Sequence, residues 1–157
     1  MLSTYNKLMK ITPQVKTFLW FQSDLDSALN FYKETFLDVV VKEENRNEAG
    51  ELFTADFTIY GHEFIAMCHA GGPEFNSSIS ISIQCDGQNE TDRLWSALTA
   101  DGEEGQCGWC KDKWGVSWQI TPLQMREYLA NPDPEIAQHN WQVLRSMKKI
   151  EISQFRE

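Results

Sequence analysis

Basic residues are scarce in this chain. Fourteen Lys and Arg stand against twenty-three Asp and Glu, a formal net charge of −9, and no basic stripe offsets it. That balance repels nucleic-acid phosphates and excludes nucleic acid as a partner. Long apolar runs are missing too. None approaches the ~18 residues a membrane helix needs, so no membrane partner is expected. The stretch from Met1 to Lys10 is polar and has no apolar signal-peptide core. It reads as a flexible leader (1–10), and the protein as cytoplasmic. Cysteines number four, at positions 68, 85, 107 and 110, which is no disulfide scaffold for a chain of this size. Cys68 and Cys85 lie in apolar runs and read as buried small hydrophobes. Three histidines, His62, His69 and His139, have no obvious acid or nucleophile beside them. Glu63 next to His62 reads as solvated.

What is present suffices for a core. The chain has 157 residues, 41% of them hydrophobic and 24% charged, the composition of an ordinary globular protein of one domain or two packed half-domains. Val15 to Phe21 has the β-branched and aromatic content of a strand. Ser23-Asp24-Leu25-Asp26 reads as the cap of a helix whose Leu25, Ala28, Leu29, Tyr32 and Phe36 form one apolar stripe. Val39-Val40-Val41 resumes as strand, and Glu43 to Gly50 reads as a turn or loop. Leu52 to Ile59 and His62 to Ala70 flank Tyr60-Gly61 as a hairpin.

After Gly71-Gly72-Pro73 the order repeats. Ser78 to Gln84 alternates Ser and Ile, the pattern of a strand. Gln88 to Ala100 reads as a helix burying Leu94, Trp95, Ala97 and Leu98, with Gly102 as its C-terminal cap residue. A short strand is expected near Glu103. From Gly105 to Pro122 two strands flank a charged turn, Lys111 to Gly115, with Val116, Trp118 and Ile120 on one face and Ser117, Gln119 and Thr121 on the other. The halves share an order of elements and almost no residues, a structural repeat. The tail adds a short helix from Pro122 to Leu129. A last helix follows, capped by Asp133-Pro134 and striped by Ile136, Ala137, Trp141, Leu144 and Met147. It either covers the domain or packs against a partner.

Cys107-Gly108-Trp109-Cys110 has the spacing of a redox or zinc pair. On a strand, residues i and i+3 point to opposite faces, so the thiols are expected to be structural. Trp95, Trp118 and Trp141 read as core; Trp20, Trp109 and Trp114 are open between core and a cleft rim. Gly71-Gly72 lacks a following Lys-Ser/Thr and a helix start, so it reads as a linker between modules rather than a phosphate loop.

Two β-α-β-β-β modules in one chain resemble the vicinal oxygen chelate superfamily of glyoxalase I, bleomycin-resistance proteins and ring-cleaving dioxygenases. Phe31 to Phe36 is similar to its first-helix signature. Ile11-Thr12-Pro13, Leu19-Trp20-Phe21, Gly71 to Phe75, Gly102 to Trp109 and Gly115 to Ile120 resemble the PhnB-like branch, some of whose members carry a 3-demethylubiquinone methyltransferase label. The resemblance implies an α+β fold of two modules with cupped mixed sheets (11–72 and 73–122), helices outside each cup, a helical extension (123–157) and a homodimer. Metal-dependent members hold an ion with His and Glu from four strands. Here those places fall at Thr17, at Ala66 or its neighbours, at Ser78, Ser80 or Ser82, and at Gln119. Such groups are weak ligands for a divalent transition metal, so no metal and no cofactor is expected. A methyltransferase is not expected either, because no glycine-rich strand-to-helix loop is present to hold its cofactor.

The site expected from this reading is a small-molecule cleft lined by Thr17, Leu19, Phe21, Ser80, Ser82, Ser117 and Gln119. Hydroxyl and amide groups would orient an unidentified ligand, and aromatics would supply contact area. The alternatives are a metal-dependent lyase, isomerase or dioxygenase-like enzyme on the same fold, and an interaction module that works through its tail helix.

Overall fold

The computed structural model describes residues 14–157. The expected leader and Ile11-Thr12-Pro13 lie outside the described residues. The first module runs β1 (Thr17–Phe21), α1 (Leu25–Thr35), β2 (Val39–Arg46), β3 (Leu52–Ile59) and β4 (His62–Cys68). The second runs β5 (Ile81–Cys85), α2 (Gly87–Thr99), β6 (Glu103–Glu104), β7 (Trp109–Lys111) and β8 (Ser117–Pro122). Each forms a four-stranded mixed sheet with the same topology, β1-β4-β3-β2 and β5-β8-β7-β6. In each, the first strand pairs parallel to the last and the other pairs are antiparallel. The fold is α+β, and the structural repeat read from the sequence is present.

Helix α1 forms because its apolar stripe has somewhere to go. Leu25, Ala28, Leu29, Tyr32 and Phe36 are all buried, and burial of such a stripe supplies most of a short helix's stability. Its expected cap is different. Asp24 adopts a left-handed conformation (φ 58°) and makes no capping bond. Asp26 reaches instead to β3, accepting the Leu52 N–H at 2.9 Å, so the first-turn carboxylate ties helix to sheet.

One buried cluster contains both helices and the facing residues of both sheets. The Tyr32 ring stacks on Phe57 of β3 at 6.4 Å and meets Trp118 of β8 edge-on at 5.7 Å. Helix α1 is therefore held between the modules, and each sheet turns its other face away from the helices.

Several details differ from the sequence reading. Strand β2 continues to Arg46 because Glu44 and Asn45 still pair with Ala55 and Thr54; only Asn47 to Gly50 turns, around an Asn47 Oδ1 that accepts from Ala49 and Glu51. Strand β5 begins at Ile81 rather than Ser78, whose N–H is taken by Asn76 Oδ1 in a turn. Gly102 is not a left-handed cap; it sits where a Cβ would strike backbone. Trp141, expected in the tail's apolar stripe, is 45% exposed.

The tail comprises α3 (Met125–Leu129), α4 (Pro134–Ser146) and one 3₁₀ turn at Ile152–Gln154. Asp133 caps α4 as expected, accepting from Glu135 at 2.8 Å and Ile136 at 3.5 Å. Asn140 takes the buried place beside Trp141. It donates to the carbonyls of Tyr128 and Arg156 and accepts the Arg156 N–H. Met147 and Lys148 accept from the N–H groups of Cys107 and Gly108, each at 2.8 Å. Gln88 of α2 binds Ile150 O and Ile152 N. The tail thus covers the second module. No helix among the described residues is long and apolar enough to cross a membrane.

Candidate functional site

Between the modules lies a cleft of ≈ 590 Å³. Sheet one contributes the start of β1 and β4 through Thr17, His62 and Phe64, and the β3–β4 hairpin through Ile59 and Tyr60. Sheet two contributes β5 and the segment before it, and the opening of α2 adds Asp86 and Glu90. Three of the large hydrophobic side chains exposed on the protein stand at this cleft: Ile79 (77%), Leu123 (51%) and Tyr60 (40%). Tyr60 is held there by the hairpin, at φ 48°, ahead of Gly61 at φ 76°. Such a φ is rare for a tyrosine.

Two polar pairs belong to the site. Thr17 Oγ1 and His62 Nε2 are 2.9 Å apart. The pair forms because β1 lies parallel to β4 with Thr17 opposite Phe64, two residues beyond the histidine. Gln119 Nε2 donates to Ser80 Oγ at 2.7 Å, fixing the segment that leads into β5.

The seven residues expected to line one cleft are divided. Thr17, Ser80 and Ser82 line it, and Gln119 stands behind Ser80. Leu19 and Phe21 are core residues, 6% and 1% exposed, facing the helices. Both faces of β1 are apolar, so alternation alone assigns neither to the core, and Phe18 and Trp20 take the other face. Ser117 is buried and donates to the Asn76 carbonyl at 3.3 Å. His62, Tyr60 and Asp86 escaped the sequence reading. For His62 the signal is the parallel pairing of first and last strands, which brings the start of the fourth strand beside the first.

The donor set does not fit a metal ion. Thr17 and Gln119 are bonded to His62 and Ser80, and Ala66 is fully buried. Among the described residues no three His, Cys, Asp or Glu come together to hold one. The thiols offer no nucleophile at neutral pH on the core side: burial pushes Cys85 to about 11 and Cys110 to about 12. Cys107 and Cys110 are both free. Cys110 packs in the core, whereas Cys107 contacts the Leu144 carbonyl in the tail.

Glu63 is not simply solvated. It belongs to a cluster with Lys16, Lys42 and Asp56 on the sheet face turned away from the helices. Its bond to Lys42 holds its carboxyl below the usual value.

Paired βαβββ modules around such a cleft define a protein of the glyoxalase/bleomycin-resistance type, within the vicinal oxygen chelate superfamily. More narrowly, residues 13–121 match the family described as 3-demethylubiquinone-9 3-methyltransferase, and the chain belongs to that family. Solved structures agree. A putative 3-demethylubiquinone-9 3-methyltransferase, PhnB protein, from Bacillus cereus is 27% identical with a TM-score of 0.63, over 70% of this chain and 99% of that one. Protein PA1353 from Pseudomonas aeruginosa is 19% identical (TM-score 0.58), over 71% and 98%. The fosfomycin resistance protein FosX from Listeria monocytogenes is 16% identical (TM-score 0.58), over 77% and 99%. Among curated proteins none matches the sequence.

Proposed function

We propose that this protein binds a small organic molecule in the inter-module cleft, without a metal ion and with no reaction assigned. The observation that carries the reading is the cleft's composition: isoleucines of β5 and the segment before it, a rim of Ile79, Leu123 and Tyr60 left exposed, and a few hydroxyl, imidazole and amide groups set among them. A volume of ≈ 590 Å³ falls in the range of about 300–1,000 Å³ typical of small-molecule sites. Thr17 with His62, and Ser80 held by Gln119, would orient the ligand; Ile79, Ile81 and Ile83 would supply contact. Methyl transfer, the activity in the family description, is not part of this reading, because the sequence has no glycine-rich strand-to-helix loop for the cofactor. FosX has been crystallised with Mn(II); the polar groups here are poor ligands for that ion.

The neutral dye N-phenyl-1-naphthylamine is a suitable probe. It is expected to gain fluorescence in the cleft, and Ser82→Trp, an exposed position on the cleft wall, is expected to weaken it by about tenfold or more by filling the space. Equal binding to both proteins would contradict the reading.

We also infer that two copies pair through the sheet faces that point away from the helices. Phe18 and Val40 lie exposed on the first of these. Beside them the ion pairs of Lys16 and Lys42 with Asp56 and Glu63 offer charged groups of both signs to a second copy. Sedimentation velocity at micromolar concentration is expected to give the mass of a dimer; a monomer throughout would contradict this inference.

A further inference from the structure

The charged side chains lining the cleft are both acidic. Asp86 and Glu90 stand where β5 passes into α2, and among the described residues no lysine or arginine lines the space. The two carboxylates are not equivalent. Glu90 Oε2 accepts the Asp86 N–H at 2.6 Å, and its other oxygen lies 3.9 Å from the Arg93 guanidinium. Glu90 is thus engaged in closing the first turn of α2. Asp86 precedes that helix yet makes no bond to it with its side chain, and it is exposed. Its charge stands on the lining of a space that sets isoleucine side chains among a few hydroxyl, imidazole and amide groups. A fixed charge beside low-dielectric walls focuses its field into the cleft, and the chain's net charge of −9 has the same sign.

We propose that the cleft selects a cationic amphiphile: an apolar body carrying one protonated amine or quaternary centre, with the body against Ile79, Ile81 and Ile83 and the charge at Asp86. This rests on the cleft being the ligand site and adds the class of ligand to it. Hydrogen bonds from Thr17, Ser80 and Ser82 would serve neutral substituents on that body. Phosphonates, carboxylates and sulfates meet the same field with the opposite sign and are disfavoured.

The test uses two probes of one shape and opposite charge, tetraphenylphosphonium and tetraphenylborate, each displacing N-phenyl-1-naphthylamine from the full chain. The cation is expected to bind about tenfold tighter than the anion at low salt, with the ratio narrowing as salt is raised. In Asp86→Asn, which removes no helix-capping bond, that ratio is expected to fall about threefold or more. Equal affinities, or a preference for the borate, would overturn the assignment of ligand class while leaving the dye-binding cleft intact. A preference unchanged in Asp86→Asn would overturn the role given to Asp86. A protein that binds neither the dye nor either ion would overturn the cleft itself, and this inference with it.

Discussion

Asp112→Ala is expected to destabilise the protein by about 4 kcal/mol, in the range seen when a buried charged network is broken. The residue sits in the turn Lys111-Asp112-Lys113, yet it is only 2% exposed. Its Oδ1 accepts the N–H groups of Trp114 and Val116, each at 3.0 Å. Its Oδ2 accepts the Tyr32 hydroxyl at 2.7 Å and the Trp118 indole N–H at 2.9 Å. Removing the carboxylate leaves four donors facing apolar surroundings, and each buried unpaired donor costs about 1–3 kcal/mol. Because Tyr32 belongs to α1 and Asp112 to the second module, the loss also unclamps one module from the other. Thermal unfolding should show it as a drop of about 10 °C or more; a shift below about 3 °C would refute the role given to Asp112. Asp112→Asn keeps one acceptor and should lose about half as much. The pH dependence has a definite sign. Burial raises the Asp112 pKa against the pull of its four donors. A group raised in the folded state contributes stability that is full below its unfolded value of about 3.9 and is lost as pH rises through the folded value. The wild type should therefore gain on Asp112→Asn as the pH falls from neutrality toward about 4.

Gly102→Ala should cost about 3 kcal/mol, the upper end for inserting one carbon into packed structure. A Cβ at this position would lie 2.0 Å from the Lys111 carbonyl oxygen and 2.6 Å from that of Leu98. Both are backbone atoms, so no side chain can swing aside. Either the end of α2 or the β6–β7 pair, in which Glu103 lies opposite Lys111, has to move. Gly50→Ala is the control. Gly50 has φ 83° and open space around it, so only the left-handed backbone strain of about 1 kcal/mol applies. Chemical denaturation of the two variants should separate them by about 2 kcal/mol; equal losses would remove the close approach as the reason for Gly102.

These two residues show where local sequence stops being informative. Periodicity is enough for α1, because its stripe of five apolar positions has one solution, and for the β3–β4 hairpin, because Tyr60-Gly61 breaks two strand-like runs. The repeat of strand, helix and strands follows from the same signals. Asp112 is different: flanked by two lysines it has the local pattern of a surface turn, and what buries it is a tyrosine eighty positions earlier. Gly102 follows a helix and so resembles a cap, whereas the constraint comes from a strand that pairs across from it. The Ser-Ile alternation from Ser78 outruns its partner, since β8 pairs only from Ile81 onward. Of the candidate cleft, Thr17, Ser80, Ser82 and Gln119 are legible as polar groups in strand-like runs with apolar neighbours. Leu19 and Phe21 lie in the core instead, and the sequence does not say so because Phe18-Leu19-Trp20-Phe21 is apolar on both faces.

The claim that matters most is that the cleft holds an organic ligand and no metal. Native mass spectrometry of the freshly purified chain tests it most directly. The expected result is a noncovalent organic adduct on the wild type that survives a chelator and is absent from Ser82→Trp. An adduct with the mass of a divalent metal ion, removed by the chelator and lost from Gln119→Ala, would contradict it.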